Sequence, residues 1–309
     1  MSAWRFHPNL LYKTHCVNSF FSKVSEKTAY ALYIFQFSID SFLIYRYNKF
    51  TGGKMTKKKK IIIESIVLAV LIVYLILSQL CCGLFFKNKF SNGNISFYYN
   101  KIENYNLNSS DKNGLEEYFS ELTEKIKTNP FYSEEKKLSF FICDNYGLYT
   151  FFSNINNKSM GITNTYGNHG FIVLNKTDLS KKETITQSKE NNTRSFESLV
   201  LHESTHVFLT KIHSLLNRLS LPSWKEEGIC ETVASESSYS IEAGLKDFYA
   251  GNSNSSKSYK YFLHRLTVLY MKNHEKLSYD DIIKDKRKQS EILEEIKRIP
   301  YDESVLWFE

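Results

Sequence analysis

Cysteine is scarce in this chain, with five residues among 309. Five scattered cysteines are too few for a disulfide scaffold, and no paired C-x-x-C ligand sets indicate a cysteine zinc ribbon. A metal ion must therefore be held by other side chains. The net charge of +7 is weak evidence for nucleic-acid binding, because much of the excess lies in one run, residues 57–60. We expect no nucleic-acid partner.

Internal repeats and low-complexity composition are absent as well. With 42% hydrophobic and 24% charged residues, the composition argues against a disordered or collagen-like protein. The chain is long enough, and apolar enough, to bury an ordinary hydrophobic core.

One long hydrophobic run stands out, because residues 65–86 contain no charged side chain. A membrane-spanning helix needs roughly 20 apolar residues, whereas the apolar region of a signal peptide has about 7 to 15. Lysines are denser before the run than after it, which favours a cytoplasmic N-terminus. We predict a cytoplasmic segment over 1–60, a single transmembrane helix over 61–86, and an extracytoplasmic remainder at the cell membrane.

The N-terminal part leaves alternatives open. The run could be a cleaved signal, including a lipoprotein signal that uses Cys81 or Cys82, or a helix buried in a soluble core. Residues 1–54 have no predicted fold. We hypothesise that native translation starts at Met55, since the preceding residues could be encoded by purine-rich codons resembling a ribosome-binding site. A second membrane segment within 29–47 is disfavoured, because its charges are costly in lipid.

The rest of the chain is predicted to be a membrane-proximal segment with one helix over 87–137, followed by an α+β domain over 138–309. A small mixed sheet is expected first and helices afterwards. Strands are predicted at 138–143, 147–152 and 170–174, a polar loop at 177–194, and helices at 114–127, 196–215, 226–238, 258–273, 279–284 and 289–299.

The helix predicted over 196–215 carries the pattern H-E-S-T-H at residues 202–206. Side chains four positions apart share one face of a helix, so His202 and His206 can bind one ion at Zn–N distances of about 2.0 to 2.1 Å. Glu203 remains beside the site without being a ligand. It can therefore act as the general base that takes a proton from an activated water.

A second pattern, W-K-E-E-G-I-C-E, follows at residues 224–231. The intervening loop lets a second helix present Glu227 as a third ligand. Glu231 lies four positions later on the same face, so it can accept the free N–H of a ligating histidine. Glu226 is the rival third ligand, since one residue turns a helical side chain by about 100°. Alternatively, these glutamates form an acidic, solvent-facing first turn of the helix, which the helix dipole favours, and bind no metal.

On these two patterns the chain resembles the gluzincin metallopeptidases, which include thermolysin-like and aminopeptidase-like enzymes and the bacterial peptidases called MA-like. That family combines H-E-x-x-H with a glutamate on a following helix, commonly within W-x-x-E-G-x-x-E. The resemblance covers about a third of the chain. It implies that His202, His206 and Glu227 bind zinc, that Glu203 is the catalytic base, and that Glu231 orients a zinc-bound histidine.

The resemblance also implies an oxyanion donor and an edge strand that pairs with an extended substrate. Tyr261 is the expected donor, with Tyr259 and His264 as rivals. The strand at 170–174 is the candidate for pairing, although an interior position is nearly as well supported.

The remaining histidines and cysteines have less specific settings. His169, His213, His264 and His274 are expected to be structural or exposed. Cys143 and Cys230 either form a disulfide or remain buried free thiols.

The sequence therefore predicts a membrane-anchored, zinc-dependent peptidase that acts on peptide or protein substrates. Its bound Zn²⁺ would activate water for hydrolysis, with Glu203 as the general base. The alternative is a non-catalytic cell-surface protein whose peptidase-like domain binds a partner.

Overall fold

The structure, a computed structural model, describes residues 57–75, 82–100, 109–153, 158–186, 193–212, 221–237, 239–252 and 255–308. The expectations for residues 1–54, Met55, Cys81 and His213 lie outside these ranges. The chain divides into two units, residues 1–85 and Phe86–Glu309.

The described part of the first unit is helix α1 (Lys57–Leu75) and a short 3-10 turn, Cys82–Phe85. Large apolar side chains of α1 are about half exposed, among them Leu68 at 58% and Leu71 at 50%. Within the described ranges, no helix combines the length and the apolar character needed to cross a membrane. The predicted spanning run lies partly outside those ranges, at residues 76–81.

The second unit begins inside the predicted membrane helix. Phe86 is buried, and its ring centroid lies 5.6 Å from that of Phe141 and 5.8 Å from that of Phe152. The residue therefore packs into the folded domain. The prediction of a continuous helix up to residue 86 differs from the structure here, because residues 82–85 form a 3-10 turn.

The main sheet has five strands in the order β1-β2-β3-β5-β4. The strands are β1 (Asn88–Asn92), β2 (Ile95–Tyr99), β3 (Lys137–Ile142), β4 (Gly161–Tyr166) and β5 (His169–Leu174). The three central strands run parallel, whereas β1 and β4 are antiparallel strands at the two edges. This small mixed sheet, with the helices that follow it, confirms the α+β class.

The first two strands change the predicted domain boundary. Because β2 pairs directly with β3, the segment predicted as separate over 87–137 belongs to the same sheet as the residues after it. The boundary expected at 137 is therefore absent from the fold.

Helices make up most of the remaining chain. They are α2 (Ser109–Lys127), α3 (Tyr146–Phe152), α4 (Phe196–Ile212), α5 (Ser223–Val233), α6 (Ile241–Ala250), α7 (Lys257–Leu269), α8 (Tyr279–Lys284), α9 (Gln289–Ile296) and α10 (Tyr301–Val305). A π-helical turn, Tyr270–His274, extends α7. The predicted helices are confirmed, the one at 279–284 with the same ends and the others with shifted ends. Helices α6 and α10 have no counterpart among the predictions.

The strand predicted over 147–152 is wrong, since these residues form α3. The side chain of Asn145 accepts a hydrogen bond from the backbone N–H of Leu148 at 2.9 Å and so caps the helix. Tyr149 and Phe152, three positions apart, are both fully buried. A good N-cap and a helical apolar spacing outweigh the β propensity of the aromatic residues.

The predicted loop over 177–194 is also wrong in part. It contains β6 (Thr177–Asp178) and β7 (Glu183–Ile185), and β8 (Thr193–Ser195) follows directly before α4. These three strands form a second, antiparallel sheet. The strands are too short to produce a recognisable alternation of apolar and polar residues.

Two hydrophobic cores hold the second unit together. In the first core, apolar side chains of the main sheet pack against those of α2 and α4. The second core lies among helices, chiefly α5, α7 and α9. Helix α4 contacts both the sheet and α5, so its polar side chains lie where the two cores meet.

Candidate metal centre

Helix α4 carries three of the predicted site residues, and its buried apolar side chains anchor it. Val207 and Phe208, in its middle, are fully buried in the first core. Their packing fixes the rotation of α4, so that His202 and His206 face α5. Glu203, four positions before Val207, lies on the sheet side of the helix beside β4. His202 and Glu203 are 5% and 6% exposed.

Helix α5 supplies the acidic side chains and is held at both its start and its middle. The buried ammonium of Lys225 donates to the backbone carbonyls of Ile283 and Asp285 at the end of α8. At Gly228, a Cβ atom would lie 2.5 Å from the backbone oxygen of His264 on α7. Only glycine permits this close approach of α5 to α7.

The three predicted ligands converge. The Nε2 atoms of His202 and His206 are 3.2 Å apart, and Oε2 of Glu227 lies 3.4 Å from the first and 3.6 Å from the second. Two ligand atoms about 2.0 to 2.1 Å from one tetrahedral zinc are about 3.3 Å apart. Oε2 of Glu227 is buried and has no hydrogen-bond partner. The donor set therefore fits a zinc ion.

A carboxylate lies against the outward nitrogen of each histidine. Oε1 of Glu231 is 3.0 Å from Nδ1 of His202, and Oε1 of Glu226 is 3.0 Å from Nδ1 of His206. The His206–Glu226 contact is a hydrogen bond of the kind that fixes the orientation and tautomer of a ligating imidazole, whereas Glu231 meets Nδ1 of His202 at ion-pair distance without hydrogen-bond geometry. Glu226, expected as a rival ligand, thus contacts the far side of His206 and leaves the Nε2 position to Glu227.

Cys230 is a further rival for the third position. Its buried thiol and one nitrogen from each of His202 and His206 lie within 4.8 Å of one another. Burial raises the pKa of Cys230 to about 12, which disfavours the thiolate that binds metal. Burial also raises the pKa of Glu227, but the two histidines outweigh it and hold that pKa well below its usual value. The ionised carboxylate is the better ligand.

Glu203 extends toward β4. The hydroxyl of Thr163 donates a hydrogen bond to Oε2 of Glu203. A Cβ atom at Gly161 would lie 2.7 Å from Cδ of Glu203, so glycine leaves the room that this carboxylate occupies. The predicted edge strand is therefore wrong: the strand at 170–174 is interior, and β4 is the edge strand beside Glu203.

The three candidates for the oxyanion donor differ in position. The Tyr261 hydroxyl lies 3.4 Å from Oε1 of Glu227, and burial raises the pKa of Tyr261, with the Glu227 charge adding to the effect. Tyr259 instead packs against Tyr239 in the second core. His264 is buried, and burial lowers its pKa to about 4. Tyr261 is the candidate whose polar atom reaches the ligand set.

Comparisons with protein-family models, curated protein sequences and solved structures find no match for this chain.

The other histidines considered from the sequence contact side chains elsewhere in the fold. Nε2 of His169 lies 3.1 Å from the Ser139 hydroxyl, and His274 stacks on Tyr270. Cys143 and Cys230 are both buried, and no disulfide joins them.

Sequence reasoning missed several residues around the centre. The contact of Glu226 with His206 was detectable in principle, because Glu226 directly precedes a predicted ligand on the same helix. Gly161 and Thr163 lie on an unpredicted strand. Arg194 carries no motif and falls in a stretch that was predicted to be loop, yet it is buried beside Glu231.

Proposed function

We propose that this protein is a zinc-dependent peptidase of the gluzincin type, with His202, His206 and Glu227 as the metal ligands. The observation that carries the proposal is a triangle of three donor atoms with sides of 3.2, 3.4 and 3.6 Å. One of the three atoms, Oε2 of Glu227, is a buried carboxylate oxygen without a hydrogen-bond partner. A buried, unpartnered carboxylate oxygen costs stability unless a cation or donor compensates it.

A zinc ion in this position would supply Lewis-acid polarisation of a carbonyl and acidify a water molecule. Glu203 would accept the proton of the attacking water and deliver it to the leaving amine. Its hydrogen bond from Thr163 and its contact with Gly161 hold the carboxylate at one place. The Tyr261 hydroxyl, protonated in its buried setting, would donate to the negative charge that develops on the carbonyl oxygen.

The substrate would be a peptide or protein segment in extended form. Within the described ranges, β4 has a neighbouring strand on one side only, β5. A free strand edge offers main-chain donors and acceptors to an extended chain. Because β4 also contacts Glu203 through Thr163, a segment paired with it would pass close to the catalytic base.

We also propose that the protein is anchored in the cell membrane by its N-terminal apolar run, with the peptidase domain outside the cytoplasm. Two features support this: the exposed apolar side chains of α1, such as Leu68 and Leu71, and the lysine run at 57–60. Partition of the full chain between detergent and aqueous phases tests the anchor. Recovery in the aqueous phase would contradict it.

The catalytic proposal is tested with Glu203→Gln in the full chain, purified in mild detergent. We expect bound zinc to be unchanged and hydrolysis of fluorescently labelled casein and quenched peptide mixtures to fall by about 10²- to 10⁴-fold. Glu197→Gln is the matched control, since Glu197 lies on the same helix but pairs with Lys125 at the surface. Full hydrolysis by Glu203→Gln would refute the mechanism, and zinc binding without hydrolysis in the wild type would favour the non-catalytic alternative.

The ligand set is tested by metal content and by cobalt substitution. We expect Glu227→Ala to weaken metal binding far more than Cys230→Ala, because the Glu227 carboxylate is ionised and the Cys230 thiol is not. The Co²⁺ form should show no thiolate-to-metal charge-transfer band. A strong band that disappears in Cys230→Ala would assign Cys230 as the third ligand and contradict this part of the proposal.

A further inference from the structure

A buried arginine links the two helices that carry the proposed ligands. Arg194 lies on β8, two residues before the start of α4, and is 4% exposed. No motif includes it, and it contacts no proposed ligand directly. Its guanidinium nevertheless touches α4, α5 and the residues that follow α5.

The guanidinium is engaged on three sides. Nη1 of Arg194 lies 2.8 Å from Oε1 of Glu231 on α5, and Nε donates to the hydroxyl of Ser198 on α4 at 3.0 Å. Nη2 donates to the backbone carbonyl of Glu236 at 3.0 Å. A planar group with donors in fixed directions can serve three acceptors at once, which the single ammonium of a lysine cannot do in the same geometry.

Glu231 is the contact that connects Arg194 to the metal centre. This carboxylate is 0% exposed, and its Oε1 atom lies between Nη1 of Arg194 and Nδ1 of His202, at 2.8 and 3.0 Å. A buried carboxylate that loses its counter-charge becomes costly, and it must turn away or the structure must rearrange.

A second set of hydrogen bonds joins the start of α4 to the residues that follow α5. The Ser195 hydroxyl, next to Arg194, hydrogen-bonds to the Glu236 carboxylate, and it also accepts from the backbone N–H of Ser198 at 3.2 Å. The two ligand-bearing helices are therefore fixed to each other at this end through adjacent residues of β8.

We propose that Arg194 is a positioning residue of the metal centre. It acts through Glu231, whose carboxylate it holds against His202, and its contacts with Ser198 and Glu236 keep the guanidinium in place for that role. The proposal rests on the proposed zinc site and extends it by one residue that binds no metal and touches no substrate.

The test is the zinc dissociation constant of the full chain, measured by competition with a chromogenic chelator. We expect Arg194→Met to weaken zinc binding by about 10- to 100-fold, the range seen for partners of metal-ligating histidines. Arg287→Met is the matched control: that arginine pairs with Glu275, Asp285 and Glu295 instead, and its loss should leave zinc binding unchanged.

A double-mutant cycle separates positioning from a general structural role. In the Glu231→Gln background, Arg194→Met should change zinc binding by no more than about 2-fold, because the pathway through Glu231 is already lost. An equal loss in both backgrounds, or no loss in the wild-type background, would overturn the proposal.

A conservative variant covers the case in which Arg194→Met does not fold. Arg194→Lys keeps the charge and should weaken zinc binding by an amount between the wild type and the methionine variant, again only when Glu231 is present. Unchanged zinc binding by Arg194→Lys would overturn the role of the guanidinium fork. If the wild type itself binds no zinc, the proposed function fails first, and that result is distinct from the outcomes above.

Discussion

Adding one methyl group at Gly161 should displace the catalytic base without disturbing the metal ligands. A Cβ atom there would lie 2.7 Å from Cδ and 3.0 Å from Cγ of Glu203, whereas non-bonded carbons prefer about 3.5 to 4.0 Å. The carboxylate must therefore move by about 1 Å. Because it is the end of a flexible side chain, it can move while the fold persists.

The expected effect on catalysis follows from that displacement. A misplacement of about 1 Å costs about 10²-fold in rate, which is about 2.7 kcal/mol in the activation free energy. Gly161→Ala should therefore lower the rate of labelled-casein hydrolysis by about 10²-fold, while zinc per chain stays unchanged.

Gly114→Ala is the control for this experiment. Gly114 lies in α2, where an added Cβ meets no atom within 4 Å, so the same substitution should leave hydrolysis unchanged and add up to about 1 kcal/mol of helix stability. Full hydrolysis by Gly161→Ala would refute the assignment of Glu203 as a base held against β4.

Three further outcomes are expected. Tyr261→Phe should lower kcat by about 10²- to 10³-fold with zinc retained; an unchanged kcat would remove Tyr261 from the mechanism. Gly228→Ala should lower Tm and weaken zinc binding in thermal-shift and chelator assays, because its Cβ would lie 2.5 Å from the His264 backbone oxygen; unchanged values would show that α5 does not depend on this close approach. Zinc at 100 times its Kd should stabilise the fold by about 2.7 kcal/mol over the EDTA-treated protein; no shift in Tm on metal removal would contradict binding to the folded state.

The sequence was sufficient for the parts of the centre that follow helical periodicity. His202 and His206 share a helix face at a spacing of four, and Glu227 and Glu231 repeat that spacing on the next helix. Their convergence needed only that α4 and α5 pack face to face, which their apolar positions and the loop between them allow.

The parts that sequence reasoning missed depend on tertiary pairing. The edge position of β4 is decided by which strands hydrogen-bond to one another, and the β propensity of its six residues does not reveal it. Arg194 reaches the centre only because β8 places it beside α5, 37 residues away in sequence from Glu231. The aromatic run at 147–152 was misread because Asn145 caps a helix there.

The most direct test of the metal centre is a crystal structure of the zinc-soaked protein with diffraction measured on both sides of the zinc absorption edge. The account predicts one anomalous peak about 2.0 to 2.1 Å from Nε2 of His202, Nε2 of His206 and an oxygen of Glu227. A zinc peak elsewhere, or none at these three side chains, would contradict it.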